Sequence, residues 1–299
     1  MKQFFYLGWW FFKVRFLKKE IPLQTVLFIT DKCNLTCRHC SVYNEINPVM
    51  MSFQQVKKEL EYSYNLGSRF VDFEGGEPTL WFDGDKTVND LILLAKQIGF
   101  FSCTITTNAQ ESFKGSLADS IWVSLDGKGK YHDTIRGNGA FEKLDKNITE
   151  ANHKELSVNM VVNSLNYEGV EETLDYVKEN KFIKSISFNF HTPFEGTEDL
   201  MLDKEKRNKI IDIIISYKKE GYPIMNSISG LKLMKENNFK KRCWITNFIL
   251  ADGTHLKECA GKTANICDDC GFCMSAEEHC IFSFKLDTIF AGLKLRVNG

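Results

Sequence analysis

Three cysteines, Cys33, Cys37 and Cys40, stand in a C-x3-C-x2-C run, directly after the strand-like stretch Thr25 to Thr30. Three thiolates so spaced can hold an iron–sulfur cluster by three of its four corners, where such clusters ordinarily take four cysteines. One iron is then left for substrate or cofactor, by the logic that separates catalytic from structural zinc sites. These residues alone also leave open a zinc site built from the three thiolates and His39. A second group follows far down the chain: Cys243, Cys259, Cys267, Cys270, Cys273 and Cys280. Cys103 stands apart inside an expected strand and reads as a small buried core residue.

At 299 residues the chain is long enough for one α/β barrel-like domain and a small extra module. Lys and Arg number 38 against 39 Asp and Glu, a net charge of -1, which speaks against a nucleic-acid partner. The ten cysteines fall mostly into two tight groups, and no secretory signal pattern opens the sequence. Both features predict metal binding in a reducing, cytoplasmic protein rather than a disulfide framework.

From Thr25 onward, β-rich runs alternate with amphipathic helical ones, which predicts βα units around a parallel sheet. Strands are expected at Thr25 to Thr30, Phe70 to Phe73, Phe101 to Thr107, Ser120 to Leu125, Ser157 to Val162 and Ile183 to Phe190. Between them, Ser52 and Gln55 form a capping-box start, and Val56, Leu60, Tyr64 and Leu66 make an apolar stripe ending at Gly67. Further helices are expected over Val88 to Ile98, Gly139 to Asn152, Val170 to Lys178 and Lys204 to Lys218. This is an α/β chain forming a partial (β/α)6 barrel of the TIM type, and barrels of parallel strands collect function at the strand C-terminal ends. The cysteine loop, Gly75-Gly76-Glu77-Pro78, Thr107-Asn108, Ser124-Leu125-Asp126-Gly127 and Asn163 all fall at such ends.

Together these motifs resemble the radical S-adenosylmethionine (SAM) superfamily, over about residues 24 to 190. The stretch His132-Asp133-x2-Arg136-Gly137-x-Gly139-x-Phe141 resembles the segment after strand four in its peptide- and cofactor-maturing branches. The resemblance implies a 4Fe-4S cluster on Cys33, Cys37 and Cys40, with SAM chelating the fourth iron. It implies reductive cleavage of SAM to a 5′-deoxyadenosyl radical that abstracts hydrogen from an unactivated carbon. By the same likeness Gly75 and Gly76 face the SAM ammonium with Glu77 as the nearby acid, Ser124 and Arg136 meet its ribose or carboxylate, and His39 lies near the adenine. Asn108 and Asn163 are weaker members of the same set. Two departures stand out: Thr107-Asn108-Ala109 replaces the Thr-Asn-Gly of many relatives, and Glu74 adds a second acid with no assigned role.

Trp244 to Leu250 and Thr254 to Lys257, joined by Asp252-Gly253, read as a hairpin with Cys243 and Cys259 at its open ends. With Cys267, Cys270, Cys273 and Cys280 this segment resembles the SPASM and Twitch auxiliary-cluster modules of the superfamily. Six thiolates are too few for two fully ligated 4Fe-4S clusters, so at least one auxiliary 4Fe-4S cluster is implied. A zinc knuckle using four of the six is the alternative.

Phe4 to Phe12 is an uncharged aromatic-rich run followed by Lys13, Arg15, Lys18 and Lys19, far short of the roughly 20 residues of a spanning helix. It reads either as a segment packed on the barrel or as an interfacial anchor at a membrane. The expected division is therefore 1–22 for this segment, 23–238 for the barrel and 239–299 for the cysteine module. The expected partners are a small-molecule, peptide or lipid substrate and, from the resemblance, a one-electron donor such as flavodoxin or ferredoxin. Peripheral membrane contact would run through residues 1–19. The reading of a different class is a non-catalytic zinc-binding scaffold.

Overall fold

The computed structural model describes residues 2–40, 47–256 and 259–297, with side chains to 293. An N-terminal helix α1 (Lys2–Arg15) precedes β1 (Gln24–Thr30), α2 (Phe53–Leu66), β2 (Phe70–Gly75), α3 (Val88–Ile98), β3 (Ser102–Thr107) and β4 (Ser120–Ser124). Then come α4 (Lys130–Arg136), α5 (Ala140–Ala151), β5 (Leu156–Val162), α6 (Val170–Glu179), β6 (Ser185–Phe190), α7 (Lys204–Lys219) and α8 (Ile228–Glu236). Strands β1 to β6 pair in parallel and in chain order, which is the partial barrel that the alternating pattern predicts. The expected capping box is formed: Gln55 N donates to Ser52 Oγ at 3.2 Å, and Ser52 N donates to Gln55 Oε1 at 2.8 Å.

Alternation along the strands divides outside from inside. Ile105, Ile121, Val123, Ile186 and Phe188 are buried in one core with Leu60, Leu91, Leu144, Leu174 and Ile211 of the helices. Their neighbours Thr104, Thr106, Trp122, Ser124, Ser187 and Asn189 are half-buried. Because successive strand residues point to opposite faces, this polar set lines the barrel lumen. Cys103 is fully buried, as expected.

The C-terminal segment departs from a separate module. Its hairpin, β7 (Thr246–Ile249) and β8 (His255–Leu256), pairs through β7 in parallel with β1. The sheet thus has eight strands in the order β8-β7-β1-β2-β3-β4-β5-β6, and the open backbone edge of β1 is satisfied by the hairpin. Cys243–Ile245 forms a short 3-10 turn instead of extending the strand, and the expected strand end Lys257 lies outside the described residues, as does Met1. A one-turn helix α9 (Ala260–Thr263), then α10 (Met274–Phe282) and α11 (Leu286–Val297), complete the chain. The loop before α10 docks on the other sheet edge: Phe190 N donates to Gly271 O at 2.8 Å, Gly271 N to Thr192 Oγ1 at 3.0 Å and Cys273 N to Asn189 Oδ1 at 2.8 Å. The segment therefore touches both edges of the open barrel.

Helix α1 lies at the opposite end from the strand C-termini. Trp10 and Val14 are buried against Ile245 and Phe282, and Trp10 Nε1 donates to Ile21 O at 2.8 Å. Tyr6 hydrogen-bonds Gly67 O and packs edge-on against Phe101. Ile21, Gly67, Phe101 and Ile245 all precede strands, so α1 closes the N-terminal end of the barrel. Among the described residues no helix is long and apolar enough to cross a membrane.

Candidate active site

The cysteine loop leaves β1 and is fixed by backbone bonds at both ends. Arg38 N donates to Ile135 O at 3.0 Å, and Cys40 N to Cys37 O at 3.1 Å. Each of two sulfurs faces polar donors: Leu35 N and Asn108 Nδ2 lie 3.4 and 3.6 Å from Cys33 Sγ, and Arg136 Nη1 lies 3.7 Å from Cys37 Sγ. Burial raises the Cys33 thiol and pushes Cys37 up to about 11. Cys33 and Cys40 are near enough to raise Cys37 further. Thiols so held are protonated until a cationic centre displaces the proton, as metal binding does.

Asp126 is the organising acid that sequence reasoning quoted but left without a role. Its carboxylate accepts from Arg136 Nε at 2.6 Å and Val161 N at 3.2 Å, and stands 3.3 Å from His39 Nε2. It is fully buried; the Arg136 guanidinium, then His39 and His132, outweigh the opposing effect of burial and hold its carboxyl down at about 2. The motif around it now has a physical account. His132 Nδ1 accepts from Asp126 N at 3.1 Å, and the Asp133 carboxylate caps the start of α5 by accepting from Gly139 N and Phe141 N at 3.0 and 2.8 Å. Gly137 and Gly139 have φ of 111° and 77°, the left-handed region that glycine tolerates. The His39 side chain is 9% exposed and burial lowers its pKa; among the described residues its buried Nδ1 has no hydrogen-bond partner.

The glycine turn is packed directly against the start of the cysteine loop. A Cβ on Gly75 would lie 2.0 Å from Thr30 O, and one on Gly76 would lie 2.3 Å from Lys32 O. Gly76 N and Glu77 N donate to Thr30 O and Lys32 O at 2.8 and 2.9 Å. Glu77 is fully buried and accepts from Thr79 Oγ1, Thr107 Oγ1 and Asn108 N at 2.6, 2.6 and 2.7 Å. It ties the β2 turn to the end of β3, and Asn108 carries that tie on to Asn34 Oδ1 at 2.8 Å. Ala109, the departure from a glycine, sits at φ 57° and is fully buried, held by Ala109 N to Thr107 Oγ1 at 3.0 Å and Asn147 Nδ2 to Ala109 O at 2.8 Å.

Not every expected residue reaches this face in the same way. Ser124 is half-buried on the lumen side of β4. Asn163 is fully buried, and its side chain is taken up inside its own turn, accepting from Leu165 N at 2.9 Å and donating to Val161 O at 3.2 Å. Glu74 stands on the lumen side of β2 with Asp72, which accepts from Thr106 Oγ1 at 3.0 Å. Burial pushes Glu74 up to about 7. A lone Glu-Gly-Gly spelling gives no sign of that partnership, because it depends on the i, i+2 register of β2.

The second cysteine group divides by burial into four and two, with Cys273 still close enough to feel Cys270. Cys243 and Cys259 hydrogen-bond through their thiols, which raises Cys243, and Cys243 also feels Cys270. Cys267 feels Cys259, and Cys270 feels both Cys259 and Cys267. These four are half-buried, whereas Cys273 and Cys280 are buried. Cys280 has Glu277 and Thr288 as neighbours. Among the described residues no three His, Cys, Asp or Glu side chains close to the spacing of a single metal ion.

The fold and site define a partial α/β barrel with a three-thiol loop at the mouth of its first strand. Residues 27–163 match the family model of the radical SAM superfamily. It is 26% identical over 257 residues to the Fe-coproporphyrin III synthase of Methanosarcina barkeri, covering 75% of this chain and 61% of that protein. It is 25% identical over 160 residues to the mycofactocin maturase MftC of Mycolicibacterium smegmatis, covering 51% of this chain and 41% of that protein. Streptococcus suis SuiB bound to its precursor peptide SuiA shares the fold at a TM-score of 0.64 and 21% identity, over 80% of this chain and 61% of SuiB. The chain thus spans about three fifths or less of these relatives. The cysteine group from Cys243 to Cys280 lies beyond the family-matched residues.

The family's cofactors are a 4Fe-4S cluster and SAM, and the residues present fit them. Three thiols neighbour one arginine, and among the described residues His39 Nδ1 and Asp31 Oδ1 are buried polar atoms without a hydrogen-bond partner. Buried polar atoms are ordinarily paired, so a polar ligand at this mouth accounts for both.

Proposed function

We propose that this chain is a radical SAM enzyme that modifies an unactivated carbon of a peptide or protein substrate, with Cys33, Cys37 and Cys40 as cluster ligands. The observation that carries the reading is the joining of four strand ends through Glu77, Asn108, Asp126 and Arg136 around those thiols. The cluster and SAM together supply reductive cleavage of the sulfonium and hydrogen abstraction from carbon; the protein supplies ligation, orientation and exclusion of water. Arg136, held by Asp126, presents one charged edge to Cys37 and stabilises it as thiolate. His39, anchored through Nε2, presents Nδ1 to SAM, and Gly75 and Gly76 bring the β2 turn against the loop. Ser124, Asn108 and the lumen residues face the space where substrate enters, and Asn163 shapes the rim through its turn.

Cys243, Cys259, Cys267 and Cys270 would hold one auxiliary 4Fe-4S cluster with all four corners taken, which suits electron transfer with a flavodoxin- or ferredoxin-type donor. The barrel over 23–238 and the segment 239–299 then act as one unit. A peptide substrate is favoured because MftC is a maturase and SuiB is seen with a precursor peptide. A lipid substrate has less behind it, since α1 lies at the end of the barrel away from the thiols. Anaerobically purified protein should be brown and should release 5′-deoxyadenosine from SAM under dithionite, and Cys37→Ala should abolish release. Colourless, zinc-loaded protein would overturn the proposal.

A further inference from the structure

The outward face of α1 is a ladder of aromatic rings. Phe5, Trp9, Phe12 and Phe16 recur at helical spacing and are 78%, 54%, 43% and 57% exposed. Trp9 stacks on Phe12 at 5.6 Å, and Phe12 meets Phe16 at 5.5 Å. The opposite face, with Trp10 and Val14, is buried, so packing among the described residues does not account for the ladder. Exposed apolar surface of this extent, bordered by charge, marks an interaction site.

The charge around the ladder says what covers it. Lys2, Lys13, Arg15, Lys18 and Lys19 lie between residues 2 and 19 with no Asp or Glu among them, in a chain whose net charge is -1. Lys13 sits over the Trp9 ring at 5.1 Å, and Arg15 over Phe16 at 5.7 Å. Half-exposed Phe284 continues the surface beyond Phe11, at 5.8 Å between rings. Aromatic rings at lipid depth with cations at headgroup depth are what an anionic bilayer surface binds.

We propose that α1 docks the protein on anionic membrane surfaces, with the barrel standing on its N-terminal end and the cysteine mouth facing the aqueous phase. The orientation follows from the fold. Tyr6, Trp10 and Val14 attach α1 to residues that precede β1, β2, β3 and β7, whereas the thiols follow the C-terminal end of β1. Seven residues of β1 at strand rise separate the two levels by about 20 Å. Membrane contact in this pose localises the protein and leaves the mouth open to water-borne substrate.

The test uses the full chain with phosphatidylcholine vesicles, with and without phosphatidylglycerol. Flotation should recover the protein with anionic vesicles only, and each cation removed (Lys13→Gln, Lys18→Gln, Lys19→Gln) should weaken binding about fivefold. Phe5→Ser/Trp9→Ser/Phe12→Ser should abolish flotation with the thermal unfolding midpoint unchanged, since Trp10 and Val14 are untouched. Brominated lipids should quench tryptophan emission, and Trp9→Phe should remove most of that quenching. In lysine footprinting, vesicles should protect Lys13, Lys18 and Lys19 and leave Lys32 and Lys130 reactive. Absence of flotation with either vesicle overturns the proposal, as does a triple variant that still floats. Protection of Lys32 and Lys130 overturns the orientation. If wild type ignores vesicles and the triple variant turns an oligomer into a monomer by light scattering, the ladder is instead an interface between copies of this chain.

Discussion

Arg136 reaches Asp126 through Nε and Cys37 through Nη1, so a single guanidinium couples a buried carboxylate to a candidate cluster ligand. Removing one member of a buried pair leaves the other charge uncompensated, which costs about 3–5 kcal/mol. Asp126→Asn should therefore lower stability by about that amount in anaerobic urea unfolding. The double substitution Asp126→Asn/Arg136→Met should recover most of the loss, because no unpaired charge remains. His132 makes a separate prediction about pH. It is fully buried, and burial, assisted by Arg136, lowers its pKa from 6.5 to about 4. Below about 6.5 the unfolded chain takes up a proton that the folded chain does not, so this residue's contribution is full above that value and falls as pH drops towards 4. The loss amounts to about 3 kcal/mol across the window. Glu74 and Glu277, both raised to about 7 by burial, act in the opposite sense, so the measurement is a difference. Unfolding midpoints of wild type should fall more steeply between about pH 7 and pH 5 than those of His132→Gln.

Loop 267–273 is held to the end of β6 by one backbone–backbone bond and two from backbone to side chain, and Gly271 is a point of close approach between the two segments: a Cβ there would lie 1.9 Å from Phe190 O. Gly271→Ala must push the loop away from the sheet, carrying Cys267 and Cys270 out of register with Cys243 and Cys259. Iron and sulfide content should fall by the share of the auxiliary cluster, while the signal of the cluster on Cys33, Cys37 and Cys40 should persist in electron paramagnetic resonance. Retention of all the iron would show that the loop can re-seat. That contact also marks where the sequence stops being readable. The six barrel strands and the helices expected between them follow from period and caps, and all lie within two residues of the expected bounds. Helix α4 is seven residues long with flanking glycines, too short for an apolar stripe to show. Helices α10 and α11 were not expected from the sequence; their Glu277 and Asp287 carboxylates accept from Ser227 N and Ser229 N at the start of α8 at 2.8 and 2.9 Å. The cysteines and the glycine turn were legible because their chemistry is local. The roles of Asp126 and of the Asp72–Glu74 pair were not, since each depends on partners set by strand register.

At the scale of the whole molecule, α1 and the C-terminal hairpin are parts of the barrel's closure, and this changes how the N-terminal run must be tested. Its sequence left packing and membrane contact as rival readings, but a helix has two faces, and among the described residues packing occupies one of them. Deleting residues 1–19 would strip the cover from Ile21, Leu23, Trp244, Ile245 and Phe282 and confuse lost docking with lost stability. Point substitution separates them. Trp10 is 6% exposed and donates to Ile21 O, so Trp10→Ala creates a cavity and strands a carbonyl, and should cost about 3–5 kcal/mol. Trp9 is 54% exposed, so Trp9→Ala should stay within about 0.5 kcal/mol of wild type. Urea denaturation followed by far-ultraviolet circular dichroism measures both. Equal destabilisation by the two would mean that the aromatic ladder is packed in solution, and would remove the free face on which docking depends.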